Sequence, residues 1–433
     1  MNIILLSGGS GKRLWPLSND IRSKQFIKIF KKENGEYESM VQRIYGQIKT
    51  VDPDAIVTVA TSKSQVSAIH NQLGMDVGVS VEPCRRDTFA AIALATAYLH
   101  DVQGVPETEA VVVCPVDPYV DLSYFQCVND LYEEACHGDK NLVLMGIEPT
   151  YPSEKYGYIK PDGKGGYTFT EKPTMEKAKE YISQGALWNG GVFAYKLSYV
   201  LEKSRELLGT DDYHTLFANY SDLKKISFDY AVVEAETSIE VLRYSGQWKD
   251  LGTWNTLTEA MEEPVIGDGK LNDKCENVHI INELGIPVLG MGLKNVVISA
   301  SPEGILVSDK EQSSYIKPFV DAIDQQIMFA EKSWGSYRVL DVEEGSMTVK
   351  VTLNPNHKMN YHSHMYRDEV WTVIFGSGKT IVDGMEQLVK PGDVITMASG
   401  CKHTVIAGEE GLQMIEVQLG AEISVSDKKK YEL

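Results

Sequence analysis

The chain has 433 residues, 43% of them hydrophobic and 24% charged, an ordinary globular composition with room for two or three domains at roughly 150 residues each. Against 42 Lys and Arg stand 61 Asp and Glu, a formal charge of −19. That balance excludes the dense basic footprint of a nucleic-acid surface, though not a nucleotide held by a few local cations.

The six cysteines are scattered without a CxxC pair, the usage of reduced, intracellular thiols. The apolar run at 3–6 is too short for a signal-peptide core, and no stretch approaches the roughly 20 apolar residues of a membrane span. A cytoplasmic protein with no membrane and no nucleic-acid partner is expected.

Short apolar runs alternate with helical patterns through the first half. The run 3–6 precedes a glycine loop, and 55–60 follows a helix-like stretch around 40–50. Then come 79–81, a helical segment 89–99, and the runs 110–113 and 141–145. Apolar strands separated by helices predict a parallel sheet covered on both faces, so residues 1–262 read as a doubly wound, Rossmann-like α/β domain. In 263–331 the character changes. β-branched runs at 278–281, 296–298 and 305–307 alternate with Gly, Asn and Pro turns, predicting a small all-β segment and a linker helix around 316–331. From 332 to 433, strands such as 349–353 and 379–384 predict a β-barrel or sandwich of about 100 residues. The tail 426–430, Ser-Asp-Lys-Lys-Lys, reads as a charged, solvated end.

Gly8-Gly9-Ser10-Gly11-Lys12-Arg13-Leu14-Trp15-Pro16-Leu17 follows the first strand directly. Its glycines free the backbone to approach an anion, which unpaired N–H groups can cradle. Arg13 adds a planar cation suited to phosphate oxygens. The spacing is neither GxxxxGK[ST] nor GxGxxG, and a bare GGSG would read as a strand-to-helix turn. With Lys24-Gln25-Phe26 downstream, the run resembles the GGxGxRLxPL…PKQF signature of the sugar-1-phosphate nucleotidylyltransferases. The variant is similar to bacterial mannose-1-phosphate guanylyltransferases. The likeness continues in order through EPCRRDT (82–88), CPVD (114–117), YGYI (156–159), EKP (171–173), WNGGVF (188–193), FDYAVVE (228–234) and WKDLGTW (248–254).

That resemblance implies transfer of GMP from GTP to mannose 1-phosphate, giving GDP-mannose and pyrophosphate, by in-line attack on the α-phosphorus. It also implies roles. Gly8, Gly9, Gly11, Glu82 and Arg86 would bind the nucleotide, with Glu82 accepting from guanine N1–H and N2–H₂. Arg13 and Lys24 would clamp the triphosphate, and Asp117 and Asp250 would be catalytic carboxylates holding Mg²⁺. Gly157, Glu171, Lys172 and Asn189 would take the sugar phosphate. Each keeps a plainer alternative: Asp117 or Asp250 as helix caps, Lys172 as a surface lysine, Glu82 as a loop carboxylate. Ser23, Asp87, Pro118 and Gly190 stand where the family usually has Pro, Asn, His and Ser, which leaves another sugar-1-phosphate or nucleotide open.

Three of the nine histidines, His357, His362 and His364, fall within eight residues. His362-x-His364-x₄-Glu369 is followed by Gly392, Ala398, Gly400 and His403. Histidines at i and i+2 point to one face of a strand. A glutamate and a distant histidine can then close a site for Zn²⁺ or another divalent transition metal. Both halves resemble the cupin family. With Trp334-Gly335-Ser336-Tyr337 and Arg367-Asp368-Glu369-Val370-Trp371, the segment is similar to the type II phosphomannose isomerase domain. That implies mannose 6-phosphate and fructose 6-phosphate as substrates, with Arg367 on the phosphate; a non-catalytic, metal-binding cupin stands beside it. The resemblance allows a homo-oligomer.

Overall fold

The computed structural model describes residues 1–9, 12–163, 166–424 and 427–432. The chain forms two compact units: residues 1–10, 24–66 and 73–262 make the first, and residues 11–23, 67–72 and 263–433 the second.

The first unit is built on a nine-stranded sheet. Its leading elements are β1 (Asn2–Ser7), α1 (Met40–Val51), β2 (Ile56–Ser62), β3 (Gly78–Glu82), α2 (Asp87–Asp101) and β4 (Ala110–Pro115). Strands β4, β1, β2 and β3 lie side by side and parallel. Ile3, Ile4, Leu5 and Val111–Val113 are wholly buried, as strands covered on both faces must be. Helix α2 is buried from Phe89 through Ala97, the all-round apolarity of a helix inside a core.

There follow β5 (Pro118–Val120), α3 (Leu122–His137), β6 (Leu142–Ile147), β7 (Tyr158–Pro161), β8 (Tyr167–Thr170), β9 (Leu187–Lys196), β10 (Ile239–Tyr244) and β11 (Trp248–Asp250). β9 runs antiparallel to β4, β6 and β7, so the sheet is mixed where the apolar runs predicted a parallel one. A buried strand's side chains record burial, not direction, and β9 enters the middle of the sheet without a parallel crossover. Its register shifts between Asn189 and Phe193, where Gly191 takes a φ of +67°; the bulge re-aims Asn189. β5 and β11 form a separate antiparallel ribbon.

In the second unit β12 (His279–Asn282) and β13 (Val296–Ser301) are parallel, and β14 (Gly304–Asp309) folds back on β13. The segment 11–23 is held here by Arg22, whose Nη1 and Nη2 each lie 2.8 Å from a Glu283 oxygen. The linker helix around 316–331 is corrected: it is one short helix, α4 (Lys317–Val320), with no buried residue, and 329–332 is strand β15 (Phe329–Lys332). Asp324-Gln325-Gln326 offers no apolar stripe to bury, and a short helix without packing does not propagate.

Further strands are β16 (Gly335–Glu343), β17 (Ser346–Leu353), β18 (His362–Ser363), β19 (Asp368–Val382), β20 (Val394–Met397), β21 (His403–Leu419) and β22 (Lys429–Lys430). They pair antiparallel around a core that includes Trp371, Val405 and Met414. The tail's Lys429 and Lys430 are exposed, as expected of a charged end, but their backbone is ordered in a strand. Lys429 and Lys430 pair with Ser363 and His362, because the edge of β18 presents backbone groups that a strand of any sequence can satisfy.

Two candidate sites: a carboxylate-lined cavity and a buried histidine cluster

Asp117 lies in the turn between β4 and β5, and the β5–β11 ribbon sets Asp250 opposite Pro118. Two carboxylates far apart in sequence thereby meet. Lys24 reaches both, its Nζ 2.9 Å from Asp117 Oδ2 and 3.6 Å from Asp250 Oδ1. It stands on the 3₁₀ turn Lys24–Phe26, fixed by buried Gln25, whose Nε2 donates to Ser7 Oγ at 3.0 Å. Burial pulls the Lys24 ammonium down, but the two carboxylates outweigh it and raise its pKa. The capping alternatives fall away, since Asp121 caps α3 and Thr253 stands at the N-cap of helix Trp254–Thr258.

Asp117 and Asp250 line a cavity of about 260 Å³ together with Gly157, Glu171 and Asn189. Asn189 donates from its backbone to Gly157 O at 2.8 Å and from Nδ2 to Asp229 Oδ1 at 2.6 Å. A Cβ on Gly157 would stand 2.5 Å from Glu171 Oε2, so the backbone is bare where the cavity needs it. Lys172 is beside the cavity rather than in its lining. Its Nζ lies 2.5 Å from Glu171 Oε1, and its φ of +44° is unusual for a bulky residue. Gly190 has a local reason as well: a side chain there would stand 2.9 Å from Ile147 Cδ1. Asp229 was not among the expected site residues. Burial, then the charge of Glu171, pushes its carboxyl up to about 6. An acid inside the FDYAVVE motif was the available signal.

The expected nucleotide residues stand on separate elements, Gly8 and Gly9 after β1 and Glu82 closing β3, at the same end of the parallel strands. Gly8 and Gly9 are exposed at the end of β1; Gly9 has a φ of +125°, and its carbonyl accepts from Gln65 Nε2 at 3.2 Å. Gly11 lies outside the described residues. Arg13 is exposed on the turn Lys12–Leu14, in the segment belonging to the second unit. Glu82, ending β3, accepts from Tyr220 Oη at 2.8 Å, and burial pushes its carboxyl up. Arg86 donates to the carbonyls of Arg85 and Ser221.

In the second unit, β18–β21 pairing sets His362 opposite His403. One ligand nitrogen each of His362, His364 and His403 lies within 4.8 Å of the others. Glu369 joins them, 3.2 Å from His364 Nε2 and 3.3 Å from His403 Nε2. All four residues are 2% exposed. Backbone carbonyls hold the outer nitrogens: Asn360 O lies 2.6 Å from His362 Nδ1 and Cys401 O lies 3.0 Å from His403 Nδ1, with Asp427 O on His364 Nδ1. Such outer partners orient metal-binding imidazoles.

The electrostatics suit a metal. Burial drives His362 down to about 2 and His364 down to about 4, the neutral state a metal requires. Burial would raise Glu369, but His403, His364 and Arg367 hold it well below the usual carboxylate range. His403 Nε2 is buried without a hydrogen-bond partner among the described residues, because its approach to Glu369 lacks the alignment of one. Three imidazoles and a carboxylate fit a divalent transition metal. Arg367 lines the cavity beside this cluster. Its Nε donates to Glu369 Oε1 at 2.9 Å and its Nη2 lies 3.0 Å from His364 Nε2, so it is engaged with the cluster itself. His357 is exposed and stays apart, with its Nδ1 2.8 Å from Pro355 O.

Among the described residues no helix is long and apolar enough to cross a membrane, and the six cysteines are free. Residues 2–264 match the family described as Nucleotidyl transferase, and residues 322–432 match Mannose-6-phosphate isomerase C-terminal. The xanthan biosynthesis protein XanB of Xanthomonas campestris pv. campestris strain B100 is 29% identical, over 99% of this chain and 97% of its own. The mannose-1-phosphate guanylyltransferase of Escherichia coli K12 is 26% identical, over 99% and 97%. A crystal structure described as mannose-1-phosphate geranyltransferase from Thermus thermophilus superposes with a TM-score of 0.62 at 27% identity, covering 74% of this chain and 98% of that one. The chain belongs to the nucleotidyl transferase family and carries a mannose-6-phosphate isomerase C-terminal domain behind it.

Proposed function

We propose that the domain 1–262 transfers GMP from GTP to mannose 1-phosphate, releasing pyrophosphate and giving GDP-mannose. The observation that carries this reading is the Asp117–Lys24–Asp250 group on the cavity that Gly157, Glu171 and Asn189 also line. Mg²⁺ held by Asp117 and Asp250 would neutralise phosphate charge. Phosphoryl transfer of this kind needs alignment more than covalent help. Glu171 and Asn189 orient sugar hydroxyls, and Lys172 takes the sugar phosphate. Lys24 and Arg13 bind the triphosphate, with Gly8, Gly9 and Gly11 giving it backbone room, while Glu82 and Arg86 hold the base. Free cysteines support a cytoplasmic setting. Pyrophosphate release should be measured with Mg²⁺ over four nucleoside triphosphates and several sugar-1-phosphates. Selective release with GTP and mannose 1-phosphate is expected; release with a different pair alone would overturn the specificity, and none at all the reaction.

A second activity is favoured by the buried His362, His364, Glu369 and His403 cluster within 332–433: interconversion of mannose 6-phosphate and fructose 6-phosphate. Zn²⁺ or another divalent transition metal would polarise the substrate carbonyl when bound. Isomerisation by the metal-loaded protein is the test, and its failure with every such metal would leave a metal-binding, non-catalytic cupin.

A further inference from the structure

The cavity beside the histidine cluster contains groups that no step above uses. Along β21, Leu412, Met414, Glu416 and Gln418 are buried while Ile415 and Val417 are half-buried, so a carboxyl and an amide face inward. Glu416 is 6% exposed and accepts from Gln418 Nε2, while Gln418 Oε1 is buried with no partner among the described residues. Polar groups left so sparsely satisfied in an interior are costly unless something else meets them.

Glu416 and Gln418 line a cavity of about 180 Å³ together with His362 and His364. Lys332, Lys428 and Arg367 belong to the same lining, and Arg367 is also engaged with Glu369 and His364. Carboxyl, amide, cations and metal-ligand imidazoles around one cavity, with an apolar wall that includes Trp334 and Val351, suit a small polar anion. Glu369 and the imidazoles are taken as ligands, which leaves Glu416 as the carboxyl on the lining. Burial, then the charge of Glu369, pushes its carboxyl up, and its place on the lining lets it hand a proton to and from a bound ligand.

Resting on the isomerase reading of this site, we infer that Glu416 carries the proton between C1 and C2 of a phosphorylated aldose–ketose pair, with Lys332 and Lys428 on the phosphate. The Glu416 carboxylate takes the C2 proton of the open-chain aldose. The C2–H electron pair becomes the C1=C2 bond of an enediol, and O1 gains a proton. Glu416 then returns its proton to C1 while O2 loses one, leaving the ketose with no atom gained or lost.

The full-length protein, loaded with a divalent transition metal, should be given mannose 6-phosphate in D₂O and followed by NMR for deuterium at C2 and for ketose formation. In Glu416→Gln, both should fall by about 10²-fold or more, with metal content by elemental analysis and pyrophosphate release unchanged; Glu416→Asp should recover part of the loss. Lys428→Gln should raise KM more than it lowers kcat. Exchange in Glu416→Gln within about threefold of the parent, or loss of its metal, would overturn the assignment while leaving the isomerase reading intact. Lys428→Gln losing exchange while Glu416→Gln keeps it would move the proton to the lysine. No exchange and no ketose with the parent protein would overturn the isomerase reading, and Glu416 with it.

Discussion

Lys24 between Asp117 and Asp250 is a three-charge group whose members need one another. Removing one carboxylate takes away half of the negative charge around Lys24 and an oxygen for Mg²⁺. Asp117→Ala should therefore lower pyrophosphate release by about 10²-fold or more, read in a coupled assay with GTP and mannose 1-phosphate; unchanged turnover would end its catalytic role. Asp229 permits a test through pH. Its ordinary pKa of 3.8 is raised to about 6, first by burial and then by Glu171. Between those values the folded protein binds more protons than the unfolded chain, so the stability due to this group falls as pH rises from about 4 to about 6. Asn keeps an acceptor oxygen for Asn189 Nδ2 and cannot ionise. Asp229→Asn should melt above the parent at pH 8, by a margin that shrinks at pH 5; an equal margin at both would show that Asp229 does not titrate in this window. Asp117, Asp250 and Asn189 could be picked out because each sits in a motif with chemistry of its own. Asp229 had only its place in FDYAVVE as a signal, because its raised carboxyl depends on burial and on Glu171, neither of which is written in that motif.

Elements carry information that residue motifs do not. The two-residue alternation of β21 places Glu416 and Gln418 inside; a reader who assumes that apolar residues face the core puts Ile415 and Val417 there instead. The pattern was in the sequence, but its polar inward face had no meaning until the cavity was visible. The antiparallel β9 and the strand at Lys429–Lys430 were not legible at all, because both follow from which backbone edges are free to pair. That final segment has a further task. Asp427 accepts from Met365 N at 2.8 Å and from Tyr366 N at 3.0 Å, and its carbonyl meets His364 Nδ1. The loop carrying His364 is thus held by the chain's end. Asp427→Ala keeps the carbonyl on His364 Nδ1 but removes the carboxylate that fixes the loop's amides, so transition-metal affinity should weaken by about 10-fold, the low end for disturbing an outer partner, measured by competition with a chromogenic chelator. Affinity equal to the parent would mean that the His364 loop is set by β18 and β19 alone.

At the scale of the whole molecule, the two proposed reactions do not join end to end. The isomerase product carries its phosphate on C6, whereas the transferase needs a phosphate on C1 whose oxygen attacks the α-phosphorus. Neither site offers chemistry to move a phosphoryl group between those carbons: the first aligns an existing sugar phosphate, and the second moves a proton. A phosphomutase-type reaction must therefore stand between them. The net charge of −19 argues in the same direction, since its long-range field repels anionic sugar phosphates rather than collecting them, and each site must rely on its own local cations. The full-length protein given fructose 6-phosphate, GTP, Mg²⁺ and a transition metal should form no GDP-mannose. A phosphomutase acting between C6 and C1 should start synthesis, and it should remain stalled with either Asp117→Ala or His403→Ala. Mannose 1-phosphate supplied directly should rescue His403→Ala but not Asp117→Ala, because only the second variant lacks the group that completes the transfer. GDP-mannose formed from fructose 6-phosphate without the added enzyme would mean that one of these two sites performs a phosphoryl shift, and would overturn the separation of their roles.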